Sequence, residues 1–359
     1  RRPLPGRGVP RAAASPPGDS EELEERNVDG HVETADQVPW YAGRQTFLRA
    51  PLVGFDAIRP GTTVISGAPH SLRPRFGERG GPRGIREGSL ALADRLGNAR
   101  GEGFVDVSTG TRLFLPSETR LVDVGDLNVY PSDVMRTTEG IAGGVAEVVR
   151  RGGFSVCLGG DHYVGYPSCL GYTRALGEQA PHARVGYIHI DGHLDFADTS
   201  GSYGKYNNGT NARRISELPA VVPSSMVFIG IQGPCFLEQV ESLRRLGATI
   251  FTSEDVEVLG PAEVGRRAGD LAIKGCDSIY VSFDIDVIDA GFFDGTGSVT
   301  MGAMTAQTLF RILEPLARYP IGSMDFVETA PSLDPSGRSP RLATQALLKI
   351  LTPRIFEVE

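Results

Sequence analysis

Three short stretches carry the residues able to do chemistry: LGGDH (158–162), DGHLD (191–195) and SFDIDVID (282–289). Each closes an apolar run, the second directly after VGYIHI. Ionised carboxylates at the end of a buried strand are costly unless a cation or several hydrogen bonds compensate them. Asp191, His193 and Asp195 stand at i, i+2 and i+4, and Asp284 and Asp286 at i and i+2. In extended chain each set projects from one face. His162 follows Gly159 and Gly160, a pair that lets the backbone turn closely over a site.

His162, Asp191, His193, Asp195, Asp284 and Asp286 together make six donors of carboxylate and imidazole type. That mixture suits manganese or another borderline-hard divalent ion, and a thiolate-free set argues against structural zinc. Six such ligands exceed what one catalytic ion with an open position uses; two ions about 3.5 Å apart, bridged by carboxylate, fit better. Alone, each motif has a plainer reading: a solvated DxD turn, a glycine-rich loop, a capping arrangement. Their conjunction at three successive strand ends is what points to metal.

The elements that must position these donors are legible as alternation. TTVISGAP (62–69), TRLVDVGDL (119–127), FSVCLGGDH (154–162), RVGYIHIDGH (184–193), SSMVFIGIQG (224–233), ATIFTS (248–253), DSIYVSFDID (277–286) and IGSMDFVE (321–328) read as strands. They are rich in β-branched residues and apolar on both faces, the character of parallel strands. Helical patterns fall between them over 133–152, 238–247, 261–275, 304–319 and 339–356. The alternation predicts one α/β domain around a parallel sheet, with function gathered at the C-terminal strand ends.

Composition narrows the partners. At 359 residues and 40% hydrophobic, the chain can bury a sizeable core. A net charge of -8 supplies no basic footprint for nucleic acid or anionic membrane. No stretch approaches the roughly 20 apolar residues that span a bilayer. Cys157, Cys169, Cys235 and Cys276 are unpaired in spacing, which fits reduced thiols in a cytoplasmic setting. Residues 1–26, with RRPLPGRGVPRAAASPPGDS, read as a disordered or processed tail, 27–51 as an N-terminal extension and 52–359 as the catalytic domain.

The three motifs resemble those of the ureohydrolases, the family of arginases, agmatinases and related guanidino-acid hydrolases. GGDH, DGHLD (family pattern DAHxD) and SFDIDVID (SxDxDxxDP) match in order, and the resemblance runs from about residue 52 to 351. GERGGPRGIREGS (77–89), DVGD (123–126), GTGS (295–298) and MDFVETAP (324–331) extend it. The resemblance, nearest to the agmatinase-like group, implies a three-layer α/β/α sandwich with a mainly parallel central sheet. It also implies a binuclear manganese centre, with nickel as the alternative metal, and homo-oligomers of three or six chains. The activity it implies is hydrolysis of a guanidino group to urea and an amine. Position by position, the metal ligands would be His162, Asp191, His193, Asp195, Asp284 and Asp286. Asp195 would also pass a proton to the leaving nitrogen, and Glu328 would receive the guanidinium.

Departures from the family pattern set the remaining expectations. Asn208 stands where arginase-like members carry a histidine, and an amide positions substrate or water but shuttles no proton. His70, in GAPHSLR, is a candidate specificity residue, and His189 a support for the ligands. Arg73, Arg75 and Arg213 are candidates to meet a substrate carboxylate. Gly192 replaces Ala, a conservative change. Ala197 and Gly204 lack the polar groups an α-amino acid head needs, so the substrate is expected to be agmatine, a guanidino acid, guanidine or a specialised metabolite rather than arginine. The alternative is a degenerate, non-catalytic relative with a binding or regulatory role; a single-zinc deacetylase-like hydrolase fits the six donors poorly.

Overall fold

The computed structural model describes residues 45–73, 77–97, 103–107, 110–114, 116 and 120–359. The tail expected over 1–26 and Arg75 lie outside them. In chain order the strands are β1 (Thr63–Ala68), β2 (Phe104–Asp106), β3 (Thr111–Phe114), β4 (Leu121–Asp126), β5 (Phe154–Gly159), β6 (Val185–Ile190), β7 (Val221–Ile231), β8 (Thr249–Thr252), β9 (Ser278–Asp284), β10 (Ile321–Val327) and β11 (Glu357–Val358). The helices are α1 (Gly81–Gly97), α2 (Val134–Arg150), α3 (Gly165–Gln179), α4 (Asn211–Ser216), α5 (Leu237–Leu246), α6 (Ser253–Leu259), α7 (Pro261–Ile273), α8 (Ala306–Leu316) and α9 (Arg338–Ile355).

All eight strands expected from the sequence are present, and they form one wholly parallel sheet in the order β4-β1-β5-β10-β9-β6-β7-β8. Because both faces of a parallel sheet must be covered, the strands bury side chains on each side. Ile65, Leu158, Ile190, Val281 and Phe326 join α1, α7, α8 and α9 in one core. Cys157, Tyr187, Phe228, Tyr280 and Val327 join α2, α3, α4 and α5 in the other. The result is the expected α/β/α sandwich. Among the described residues no helix is long and apolar enough to cross a membrane.

The helices foreseen from periodicity correspond to α2, α5, α7, α8 and α9. Local chemistry fixes their ends: Asp133 caps α2 by accepting from the Arg136 N–H, Thr305 caps α8 through Thr308, and Gly247 closes α5 in the left-handed region. Helices α1 and α3 escape that reading. Glycines at 81, 84 and 88 weaken helix propensity in α1, and glycines at 165 and 171 do so in α3. Tertiary packing against α9 and α2 respectively supplies what propensity withholds. A small antiparallel sheet, β11-β3-β2, is likewise absent from the sequence reading, its strands being only two to four residues long.

One ion pair ties this frame together before the site is reached. Arg86 of α1 donates from Nε and Nη2 to the two carboxylate oxygens of Asp123 in β4, at 2.9 Å each, and from Nη1 to Asp126 at 2.6 Å. Asp123 is fully buried and also accepts from the backbone of Phe47 and Gly125. Ser89 accepts from the Leu48 N–H and donates to the Arg86 carbonyl. The motif residues Arg86, Ser89 and Asp123 are thus a clamp between α1, the edge of the sheet and the segment at 47–48. Removing one partner of a buried pair strands the other charge. Arg86→Met is expected to lower unfolding free energy by about 3–5 kcal/mol in a denaturant titration; a loss under about 0.5 kcal/mol, the usual range of a surface change, would refute the clamp.

Candidate metal centre

Sheet order decides the site. Of the four central neighbours β5, β10, β9 and β6, only β9 and β10 follow one another in the chain; the β5–β10 and β9–β6 pairings join distant strands, and all four C-terminal ends lie side by side. They deliver, in turn, His162, Glu328, Asp284 with Asp286, and Asp191 with His193 and Asp195.

The convergence does not come from period-2 projection. Strand β6 ends at Ile190 and β9 at Asp284, so the motif residues beyond them lie in turns. Asp191 accepts from the His193 N–H at 2.5 Å, and Asp284 accepts from the Asp286 N–H at 2.7 Å as it caps a 3-10 turn. Asp195 and Glu328 both adopt positive φ, 44° and 63°, a region costly for residues with a Cβ. Turn hydrogen bonds and backbone strain, rather than extended chain, aim these side chains inward.

Two donor sets result. Around His162 Nδ1 stand Oδ2 of Asp191 at 2.9 Å, of Asp195 at 3.1 Å and of Asp284 at 3.1 Å. Around His193 Nδ1 stand Oδ2 of Asp286 at 3.0 Å and Oδ1 of Asp191 at 3.3 Å. Asp191 belongs to both sets through its two oxygens. His162 Nδ1 and Asp191 Oδ2 are buried, and neither is aligned in a hydrogen bond. Donors held about 2.1 Å from an octahedral ion stand about 3 Å apart, so spacing and orientation both fit a divalent ion before each imidazole. His162, Asp191 and His189, and separately Asp191, His193 and Asp286, draw close enough to hold one.

Electrostatics point the same way. Burial, then Asp286 and Asp191, push the Asp284 carboxyl well above its usual range. Burial and Asp191 raise Asp286 to about 7. Burial works against ionisation of Asp191 too, but His189, His162 and His193 outweigh it and hold the group well below the carboxylate range. His193 is raised, chiefly by Asp286. With protons as the only cations, these acids cannot all ionise; divalent ions would let them.

Behind the donors lies support that motif reading left unassigned. Ser282 Oγ stands 3.0 Å from His162 Nε2 and donates to Asp325 at 3.0 Å, and Tyr280 donates to the other Asp325 oxygen at 2.7 Å. This chain orients His162 so that Nδ1 faces the acids. His189 stacks on His162 at 4.9 Å between ring centroids, and its Nε2 lies 2.9 Å from Asp191 Oδ2. Ser282 and Asp325 sit inside SFDIDVID and MDFVE; only the register of β9 against β10, which pairs these two residues, makes the link.

Glu328 is buried, takes the His162 N–H on Oε1 at 2.9 Å, and accepts from Arg73 Nη2 on both oxygens at 2.7 Å. Burial pushes its carboxyl well up and Arg73 opposes the rise. Asp161, of GGDH, accepts from the Leu72 N–H at 2.7 Å and so fastens the segment bearing Arg73. His70 lies in that segment, its carbonyl accepting from the Asp161 N–H and its ring edge-on to Tyr163. Burial, with Arg79, lowers its pKa to about 4, so the ring is neutral near pH 7.

Asn208 opens the 208–210 turn, which packs beside the turn at 162–164. Neighbouring Asn207 makes the capping bonds, while Ala212 N–H to Asp195 O and Ala197 N–H to Gly209 O tie the segment to Asp195. Arg213 faces Glu217 and the Phe196 ring instead. Gly192 is more constrained than a conservative change implies, because a Cβ there would overlap Thr300.

A sheet edge with two carboxylate–imidazole donor sets sharing one aspartate is the arrangement that a binuclear metal centre requires. The chain belongs to the arginase family, whose model matches residues 62–352. It is 29% identical over 321 residues to guanidinopropionase of Pseudomonas aeruginosa, covering 88% of this chain and 93% of that protein. It is 30% identical over 292 residues to an agmatinase of Neisseria meningitidis serogroup C, covering 81% and 86%. The solved structure of proclavaminate amidinohydrolase from Streptomyces clavuligerus superposes with a TM-score of 0.73 at 26% identity, covering 89% of this chain and 99% of that one. The family fold carries a binuclear metal centre.

Metal uptake checks the two-set geometry. Elemental analysis is expected to find two divalent ions per chain, with Asp191→Asn losing both and His193→Asn mainly one. By mass action, Mn2+ at 100 times its Kd adds about 2.7 kcal/mol of stability, which chelation removes. A thermal midpoint indifferent to both metal and chelator would count against the site.

Proposed function

We propose that this chain hydrolyses the guanidino group of a small non-arginine compound to urea and an amine at a binuclear manganese centre, nickel being the alternative. The observation that carries the guanidino part is Glu328: a buried carboxylate, one hydrogen bond from the His162 backbone, that already holds a guanidinium, that of Arg73.

His162, Asp191, His193, Asp195, Asp284 and Asp286 would hold the two ions, which when bound supply a water-derived nucleophile near neutral pH. Glu328 then fixes the substrate's planar cation by paired charge-assisted hydrogen bonds, presenting its central carbon to the metal edge. The His162 N–H keeps that carboxylate in one orientation. Asp195, held at positive φ beside His162, would accept the proton of the attacking water and return it to the leaving nitrogen. Asn208 positions substrate or water through its amide, since it has no titratable proton. His70, neutral and buried beside Asp161, lines the same segment.

Urea release from a panel of guanidino compounds by the Mn2+-loaded protein tests the reading. No urea from any of them, with two ions bound, would leave the non-catalytic alternative. Glu328→Gln is expected to cost roughly ten- to hundredfold in kcat/KM, the worth of charged hydrogen bonds, and Asp195→Asn roughly 10²–10⁴-fold in kcat. Asn208→His is expected to lower activity on the native substrate; a rise would mean that the amide replaces a lost shuttle.

A further inference from the structure

Arg73 occupies the seat that the proposed reaction assigns to the substrate. Its Nη2 bridges both Glu328 oxygens at 2.7 Å, its Nη1 donates to Ser298 Oγ at 2.6 Å, and Glu78 Oε1 lies 3.8 Å away. The side chain is 14% exposed and Glu328 2%, so solvent does little to screen the pair. Asp161 and Asp195 also act on this guanidinium. A substrate guanidinium entering the Glu328 site must therefore displace a cation that remains tethered beside it.

The charge balance of that exchange depends on the far end of the substrate. A guanidino amine, dicationic at neutral pH, brings two positive charges into a pocket where Arg73 has just exchanged its 2.7 Å pair with Glu328 for the longer 3.8 Å contact with Glu78. An alkylguanidine brings one. A guanidino acid brings a guanidinium for Glu328 and a carboxylate for the displaced Arg73, so the short ion pair that Arg73 gives up is replaced by another. Weakening a shielded ion pair without replacing it is the costly outcome, and the planar fork of arginine matches a carboxylate with two parallel N–H donors. Ser298, already bonded to Nη1, would keep the displaced side chain nearby.

From this geometry we infer that Arg73 is a specificity-determining residue: it exchanges its ion pair with Glu328 for one with the carboxylate of the substrate, and so selects guanidino acids over guanidino amines. The inference rests on the hydrolytic reading above and names its substrate class.

The test compares 4-guanidinobutyrate with agmatine, two probes of similar length and opposite terminal charge, on the full Mn2+-loaded chain. The unmodified protein is expected to prefer the acid. Arg73→Met is expected to shrink the acid-to-amine ratio of kcat/KM at least about tenfold, or 1.4 kcal/mol, mainly through KM for the acid. Arg73→Lys should retain the direction of preference. Should Arg73→Met fail to fold, the unmodified protein still decides: neutralising the probe, as 4-guanidinobutyramide, is expected to raise KM at least about tenfold. An amide as good as the acid, a preference for agmatine, or equal losses on both substrates in Arg73→Met would overturn the inference while the hydrolytic reading stands. No urea from any guanidino compound would take down both.

Discussion

The structure depends on one electrostatic constraint: Asp191, Asp284, Asp286 and Glu328 are all buried at one sheet edge, with the mostly buried Asp195 beside them. Carboxylates so placed repel one another and lose their hydration, and each neutralises unless cations stand among them. The raised positions of Asp284 and Asp286 express that conflict. Every nearby feature answers it: imidazoles at His162, His189 and His193, backbone N–H groups turned onto Asp191 and Asp284, a guanidinium on Glu328, and donor spacing that suits divalent ions.

A parallel sheet is suited to holding such a cluster. Its strands are rigid and buried on both faces, and their C-terminal ends open together into loops. Here β5 is brought beside β10 and β6 beside β9 from distant parts of the chain, so the donors rest on the four central strands of the sheet. The left-handed backbone at Asp195 and Glu328 belongs to the same economy of position: an unfavourable local conformation persists where surrounding packing over-determines it.

Two arginine–carboxylate contacts show how similar chemistry takes different roles by location. Arg86 and Asp123 pair fork to fork across two elements, with the remaining acceptor capacity of Asp123 taken by backbone N–H groups. That contact is saturated and serves the frame. Arg73 approaches Glu328 with one nitrogen and spends the other on a serine, at the mouth of the metal cluster, so its pair can be exchanged.

Much of this was legible along the chain. The eight strands, the parallel class and the six donors follow from apolar runs, their spacing and the acids that end them, because burial patterns and strand-end motifs are local properties. The turns that aim the donors were not legible, since period-2 projection assumes a strand that in fact stops at Ile190 and Asp284. Helices α1 and α3 were hidden by glycines that only their packing partners compensate. The support of His162 by Ser282 and Asp325 was equally out of reach, because it runs across a β9–β10 register that no local pattern encodes. Sequence by itself determined which residues could bind metal and in what kind of sheet. Only the tertiary structure decided which of them stand together as candidate ligand sets, what stands behind them, and that Arg73 lies on Glu328, 255 positions away, because such pairings are set by how non-adjacent segments are brought together.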